Sequence, residues 1–113
     1  MADVNAKDLH KKLKDYLKKC IIVDIRSPEE YEEEHIDGAI NIPLETLVDN
    51  IGKLDKKKQI IAVCLTGLRS KRAVNILTLK GFNAGIVEGG MIEWRRALGP
   101  AYFAAMAGEG EGE

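Results

Sequence analysis

Two hydrophobic rhythms alternate along the chain. After Asn5, a good helix cap, Leu9, Leu13, Tyr16 and Leu17 recur at helical spacing with lysines between them, which predicts a helix over 6–18. Cys20-Ile21-Ile22-Val23-Asp24-Ile25 does not alternate and predicts a strand buried on both faces. Ser27-Pro28-Glu29-Glu30 reads as a helix start, with Ser27 as cap, Pro28 at the first position and acids following, in a segment ended by Gly38. Ala39–Ile42 predicts a short strand stopped by Pro43. Leu44, Leu47, Val48 and Ile51 mark a helix closed by Gly52. Gln59–Cys64 is a second doubly buried strand, and Ala73, Val74, Ile76, Leu77 and Leu79 carry a helix to Gly81. Ala84–Val87 is a last short strand, and Gly89-Gly90 turns into a helix containing Met91, Ile92, Trp94 and Leu98.

Segments between strands are long enough for right-handed crossovers, so the economical architecture is α/β, an open parallel sheet with helices on both faces. Such sheets bind ligands beyond the carboxyl ends of their strands, which points at the residues after Cys64. There Leu65, Thr66, Gly67, Leu68, Arg69 and Ser70 bridge a strand end and a helix start. Backbone N–H groups in that position form an anion-binding concavity in front of a positive helix end. The same field favours a thiolate over a thiol and makes Cys64 a nucleophile. A cysteine in an apolar run also serves as a small buried hydrophobe, and the residue alone does not separate the two roles.

Charge sharpens this picture. Arg69, Lys71 and Arg72 crowd a helix start, where cations are disfavoured by ~0.3–1 kcal/mol each. From Lys56 to Val87 there are seven basic residues and no acid; from Asp24 to Asp55 ten acids face Arg26 and Lys53. Steering of small anions and mutual neutralisation of the two halves both account for that asymmetry. Of 113 residues, 45% are hydrophobic and 31% charged, and net charge is −1, which fits one ordinary globular domain and excludes a collagenous or wholly disordered chain. The domain is expected over 1–107. Residues 108–113 alternate glycine and glutamate and are expected to be a disordered tail, without which 17 basic residues stand against 15 acidic ones. No apolar run approaches the ~20 residues of a membrane span, and the lysine-rich start has no signal-like apolar core. Two widely spaced cysteines form neither a zinc finger nor a disulfide framework, so the expected compartment is the cytoplasm.

The loop Cys64-Leu65-Thr66-Gly67-Leu68-Arg69-Ser70 is similar to the active-site loop of the rhodanese (sulfurtransferase) family in its Cys-x-x-Gly-x-Arg-Ser form. The stretch Val23–Tyr31 continuing to His35–Pro43 resembles the family's first signature, and Val87–Trp94 its C-terminal one. The resemblance implies a single rhodanese-like domain with a parallel sheet of about five strands, the fifth being a short strand near Asp3-Val4. It implies a sulfurtransferase in which Cys64 takes a sulfur atom from a small anionic donor, thiosulfate or a persulfide, and holds it as a persulfide. The N–H groups of Leu65 to Ser70 would cradle that sulfur, Arg69 would shape the loop and contribute positive charge, and cyanide or a thiol would accept the sulfur. Neither metal nor organic cofactor is implied; the particle is expected to be a monomer without nucleic-acid or membrane partners, and a protein sulfur donor or acceptor is compatible with it.

One departure bears on the donor. Thiosulfate-using members of that family often carry cations directly after the cysteine, where this chain has Leu65 and Thr66. Alternatives are a sulfur relay, a non-catalytic protein-binding module, and a cysteine phosphatase or arsenate reductase. The last has five residues between Cys and Arg, whereas here four intervene.

Asp24 is expected at the same sheet edge, bracing the loop or pairing with Arg26. Arg26 is expected in an ion pair with Glu30 or Glu33. His35 reads as structural, His10 as a surface residue, Trp94 as core or pocket wall, and Lys56-Lys57-Lys58 as a solvated turn. Cys20 starts its strand and Cys64 ends another, so about 16 Å separates them and no disulfide joins them.

Overall fold

A computed structural model describes residues 1–99; the tail expected at 108–113 lies outside the described residues. Asn5 caps α1 (Ala6–Lys11), its side chain accepting the N–H groups of Lys7 and Asp8. The single helix expected over 6–18 is two. Lys12 (φ −117°, ψ 29°) breaks it, and α2 (Leu13–Lys19) follows. The break lets α1 pack on the last helix while α2 covers the first strand.

The sheet has four parallel strands: β1 (Cys20–Asp24), β2 (Ile40–Asn41), β3 (Gln59–Val63) and β4 (Ala84–Ile86), in the order β2-β1-β3-β4. The fifth strand expected near Asp3-Val4 is only an isolated parallel bridge between Val4 and Val87. Chain order reverses between β1 and β3, so the crevice at their carboxyl ends is the topological switch point. Asp24 lies in register with Val63, one residue before Cys64.

Ser27 opens α3 (Pro28–Glu33) with a complete capping box: its hydroxyl accepts the Glu30 N–H, and the Glu30 carboxylate accepts the Ser27 N–H. That helix ends at Glu33, before the glycine expected to close it; Gly38 (φ +87°) instead packs against Leu17 in the turn into β2. The helix expected after Pro43 is three short pieces: a 3₁₀ turn (Leu44–Thr46), α4 (Leu47–Asn50) and a second 3₁₀ turn (Ile51–Lys53). Leu47 is buried there, and Val48 faces outward. After β3, α5 (Leu68–Leu79) and finally α6 (Gly90–Leu98) complete the domain.

Alternate strand residues feed two cores. Ile22, Ile61 and Val63 join Leu9, Met91 and Trp94 on one face, beneath α1 and α6. Val23, Ala62 and Cys64 join Leu47, Ala73 and Leu77 on the other, beneath α4 and α5. Full burial of such side chains contributes ~1.5–3 kcal/mol each. Among the described residues, no helix is long and apolar enough to cross a membrane.

Candidate active site

The chain leaves β3 at Cys64, crosses Leu65 to Gly67 and enters α5 at Leu68. Gly67 precedes that helix at φ +110°, a conformation that side chains with a Cβ rarely adopt, which explains the glycine in the loop. The turn brings two main-chain donors onto one atom. The N–H groups of Gly67 and Ser70 donate to Cys64 Sγ at 3.0 and 3.4 Å. Cys64 itself is 1% exposed.

Burial pushes the Cys64 thiol up, but the Ser70 hydroxyl and the N–H groups of Ser70, Gly67 and Thr66 outweigh it. The net shift is downward, toward thiolate. Ser70 is fully buried. Its Oγ lies where its dipole favours the thiolate, yet it meets the geometry of a hydrogen bond with no protein atom. Of the N–H groups expected to cradle the sulfur, those of Gly67 and Ser70 hydrogen-bond to it, and those of Leu65, Leu68 and Arg69 do not. Thr66 and Leu68 are exposed, and Leu65 is half-buried.

The floor of the site is held from β4's side. The N–H groups of Met91 and Ile92, in the first turn of α6, donate to the carbonyls of Cys64 (2.8 Å) and Leu65 (3.2 Å). Those carbonyls occupy the space that a side chain at Gly90 would need. This tie between the Gly89-Gly90 turn and the nucleophile's own backbone is absent from the sequence reading, although the glycine pair signals it.

Arg69 does not approach the sulfur as a ligand. Its guanidinium forks onto Glu30, Nη1 to Oε1 at 3.1 Å and Nη2 to Oε2 at 3.2 Å. That hydrogen-bonded arginine, with smaller help from Ser27, holds the Glu30 carboxyl at about 2, against partial burial. One carboxylate therefore caps α3 and anchors the loop arginine. Glu30 leaves one local trace of this role in the sequence, its capping-box spacing after Ser27, and the contact with Arg69 leaves none.

Asp24 and Arg26 sit at the same sheet edge but serve each other. Arg26 Nη2 donates to Asp24 Oδ2 at 2.8 Å and to the Glu34 carbonyl at 2.7 Å, with both side chains at most 2% exposed. The expected pairing of Arg26 with Glu30 or Glu33 is corrected accordingly: Glu30 is taken by Arg69, and a partner two residues away needs no crossing of the surface. Asp24 forms no hydrogen bond to the cysteine loop; its oxygens accept from the backbone and side chain of Arg26. His35 stacks on Tyr31 with its Nδ1 at the Tyr31 carbonyl. Trp94 is core, and the exposed His10 packs edge-on against it. Among the described residues, no three His, Cys, Asp or Glu side chains gather as a metal site requires.

Residues 5–97 match the model of the rhodanese-like domain. Over 92 residues the chain is 37% identical to an HTH-type transcriptional regulator of Mycobacterium tuberculosis, covering 80% of this chain but only 41% of that protein. Over 77 residues it is 36% identical to the thiosulfate sulfurtransferase GlpE of Shewanella oneidensis, covering 67% of this chain and 76% of GlpE. The fold superposes on a rhodanese-related protein from Thermoplasma volcanium with a TM-score of 0.75 and 32% identity, covering 85% of this chain and 92% of the other.

Proposed function

The chain belongs to the rhodanese-like domain family, and from that premise we propose that it transfers sulfane sulfur through a persulfide on Cys64. The observation that carries this reading is the Cys64 sulfur itself, buried where an inner strand ends and held by the N–H groups of Gly67 and Ser70. A thiolate there attacks the outer sulfur of a donor. A Cys64–S bond forms, the donor's bond to that sulfur breaks, and the bonding pair departs with the donor remnant: sulfite from thiosulfate, a thiolate from a persulfide. The unpartnered Ser70 hydroxyl is a ready donor to the charge on the persulfide's outer sulfur. Cyanide or a thiol then takes that sulfur and the Cys64 thiolate leaves, so the cycle has two half-reactions and uses no metal or organic cofactor.

Intact mass tests this. After incubation with thiosulfate, or separately with a persulfide, the protein should gain one sulfur atom. That atom should be lost on adding cyanide and never appear in Cys64→Ser. Failure of every donor to load, or phosphate release from an aryl phosphate instead, would overturn the reading.

A further inference from the structure

The cations at this sheet edge are already engaged, and the apolar side chains at its mouth are not. Arg69 is forked onto Glu30 and Arg26 is enclosed with Asp24, so each guanidinium has its hydrogen bonds turned to a carboxylate; Arg69 acts on Cys64 through its field and donates no hydrogen bond to the sulfur. The two positions after Cys64 are Leu65 and Thr66. The donors facing the sulfur are therefore main-chain N–H groups and one serine hydroxyl. At the mouth, Leu68 is 72% exposed, and Ile92, whose N–H donates to the Leu65 carbonyl, is 38% exposed.

Lys71 and Arg72 follow on the outward side of α5, three and four residues from Leu68, and form no ion pair among the described residues. They raise the encounter rate of anions in general, the dianion most, but neither donates to the Cys64 sulfur, so they steer a donor without being part of the cradle.

Thiosulfate brings two negative charges and three sulfonate oxygens. Setting that group against leucines without a paired cation is costly. The reacting group of an organic persulfide, R–S–SH, carries at most one charge, on the sulfur that is to be transferred, and the carbon next to it can bury against the mouth while any charges farther out on R stay in water. We infer that this site takes sulfur from an organic persulfide in preference to thiosulfate, and that Glu30 is a positioning residue that sets the preference by holding Arg69 away from the cradle. The inference rests on the persulfide chemistry proposed above. In the loading step Cys64 sulfur bonds to the outer sulfur of R–S–SH, the S–S bond of the donor breaks, and its electron pair leaves on R–S⁻. The proton stays with the transferred sulfur, and nothing is oxidised or reduced overall.

The test compares rates of sulfur loading on the full chain by thiosulfate, glutathione persulfide and a short peptide bearing a cysteine persulfide. Both persulfides should load about tenfold faster than thiosulfate, the order that one charge-assisted hydrogen bond controls. The faster of the two tells whether a small thiol or a polypeptide is the better carrier. In Glu30→Gln the released Arg69 should raise the thiosulfate rate several-fold while the persulfide rates do not rise. A Glu30 of merely structural importance would lower all three together, and that result overturns its role. Faster loading by thiosulfate in the unmodified protein overturns the preference itself. Should Glu30→Gln fail to fold, Leu65→Arg supplies the missing cation at the half-buried rim; an unchanged donor ratio in that variant overturns the inference. Loading by no donor defeats the persulfide reading and this inference with it.

Discussion

Gly90 lies against the backbone of Cys64 so closely that a Cβ at position 90 would stand 2.3 Å from the Cys64 carbonyl oxygen. The contact places the amino end of α6 under the nucleophile, where the Met91 N–H takes the same carbonyl at 2.8 Å. Position 90 also has φ +57°. Gly90→Ala therefore adds a left-handed-conformation cost to a clash with immovable backbone. We expect a loss of about 2–4 kcal/mol, read as a lower urea midpoint at unchanged slope. Sulfur loading per folded molecule should fall as well, because relief of the clash moves the Cys64–Leu65 backbone.

The Ser70 hydroxyl is the strongest of the groups pulling the Cys64 pKa down against burial. Ser70→Ala should shift the thiolate absorbance titration of Cys64 upward, toward the ordinary cysteine value. Loading at neutral pH should drop several-fold and recover in large part at alkaline pH, where both proteins are ionised and only the hydroxyl's contact with the persulfide is still missing. The sign for stability follows from the same depression. The thiolate contributes fully above the unfolded-state pKa, and the contribution is lost as pH falls through the lower folded-state value. A loading defect undiminished at alkaline pH would show that the hydroxyl serves the persulfide alone and not the thiolate.

What the sequence discloses depends on how local the cause is. Cys20–Asp24 and Gln59–Val63 are legible because a doubly buried strand needs an unbroken apolar run. Ser27 and Pro28 are legible because capping is settled within four residues. Cys64, Gly67 and Ser70 come together through one tight turn, so their spacing discloses the cradle. The break at Lys12 is illegible: Leu9, Leu13, Tyr16 and Leu17 keep helical spacing across it, and only packing against two different elements divides them. Arg69 and Glu30 are 39 residues apart, and no periodicity records a contact between the helices that follow two neighbouring strands. Leu79, at 86% exposure, shows the converse error, an apolar residue in phase with a helix yet turned to solvent.

Asp24 and Arg26 form a buried ion pair in which Arg26 also satisfies the Glu34 carbonyl. Removing either partner strands a charge with no water to receive it. Asp24→Leu or Arg26→Met alone should cost about 3–5 kcal/mol, whereas replacing both with apolar residues should cost clearly less than the two single changes summed. Denaturant unfolding of the three variants measures the coupling, and simple additivity would count against a mutually dependent pair.

The Glu30 carboxyl, held at about 2 chiefly by the Arg69 guanidinium, should titrate well below the ordinary glutamate value of 4.5 when followed by carboxyl carbon NMR. Arg69→Met should return the midpoint most of the way toward the ordinary value of 4.5, leaving the smaller contribution of Ser27. The linked stability is present above about 4.5, the unfolded-state value, and is lost as pH falls through about 2. The pair is partly exposed, so its worth is reduced by solvent and salt, and the titration midpoint is the sharper measurement.

Cys20 and Cys64 occupy opposite ends of the sheet and opposite faces of it. Cys20 begins β1 in register with Gln59, five residues before Cys64, and its thiol donates to Gln59 Oε1 at 3.6 Å. Cys20 belongs to the core beneath α1 and α6, and Cys64 to the core beneath α4 and α5. Five residues at ~3.3 Å each place them about 16 Å apart along the strands, far beyond disulfide reach. Burial also pushes the Cys20 thiol up, only partly offset by Lys19 and Lys58, so the two sulfurs differ in reactivity as well as position. Mild oxidation of the folded protein should therefore leave no intramolecular crosslink, and the thiolate absorbance removed by Cys64→Ser should be the lower-pH step of the titration. A Cys20–Cys64 disulfide formed without denaturant would contradict the parallel register of β1 and β3, and with it the switch-point position of the nucleophile.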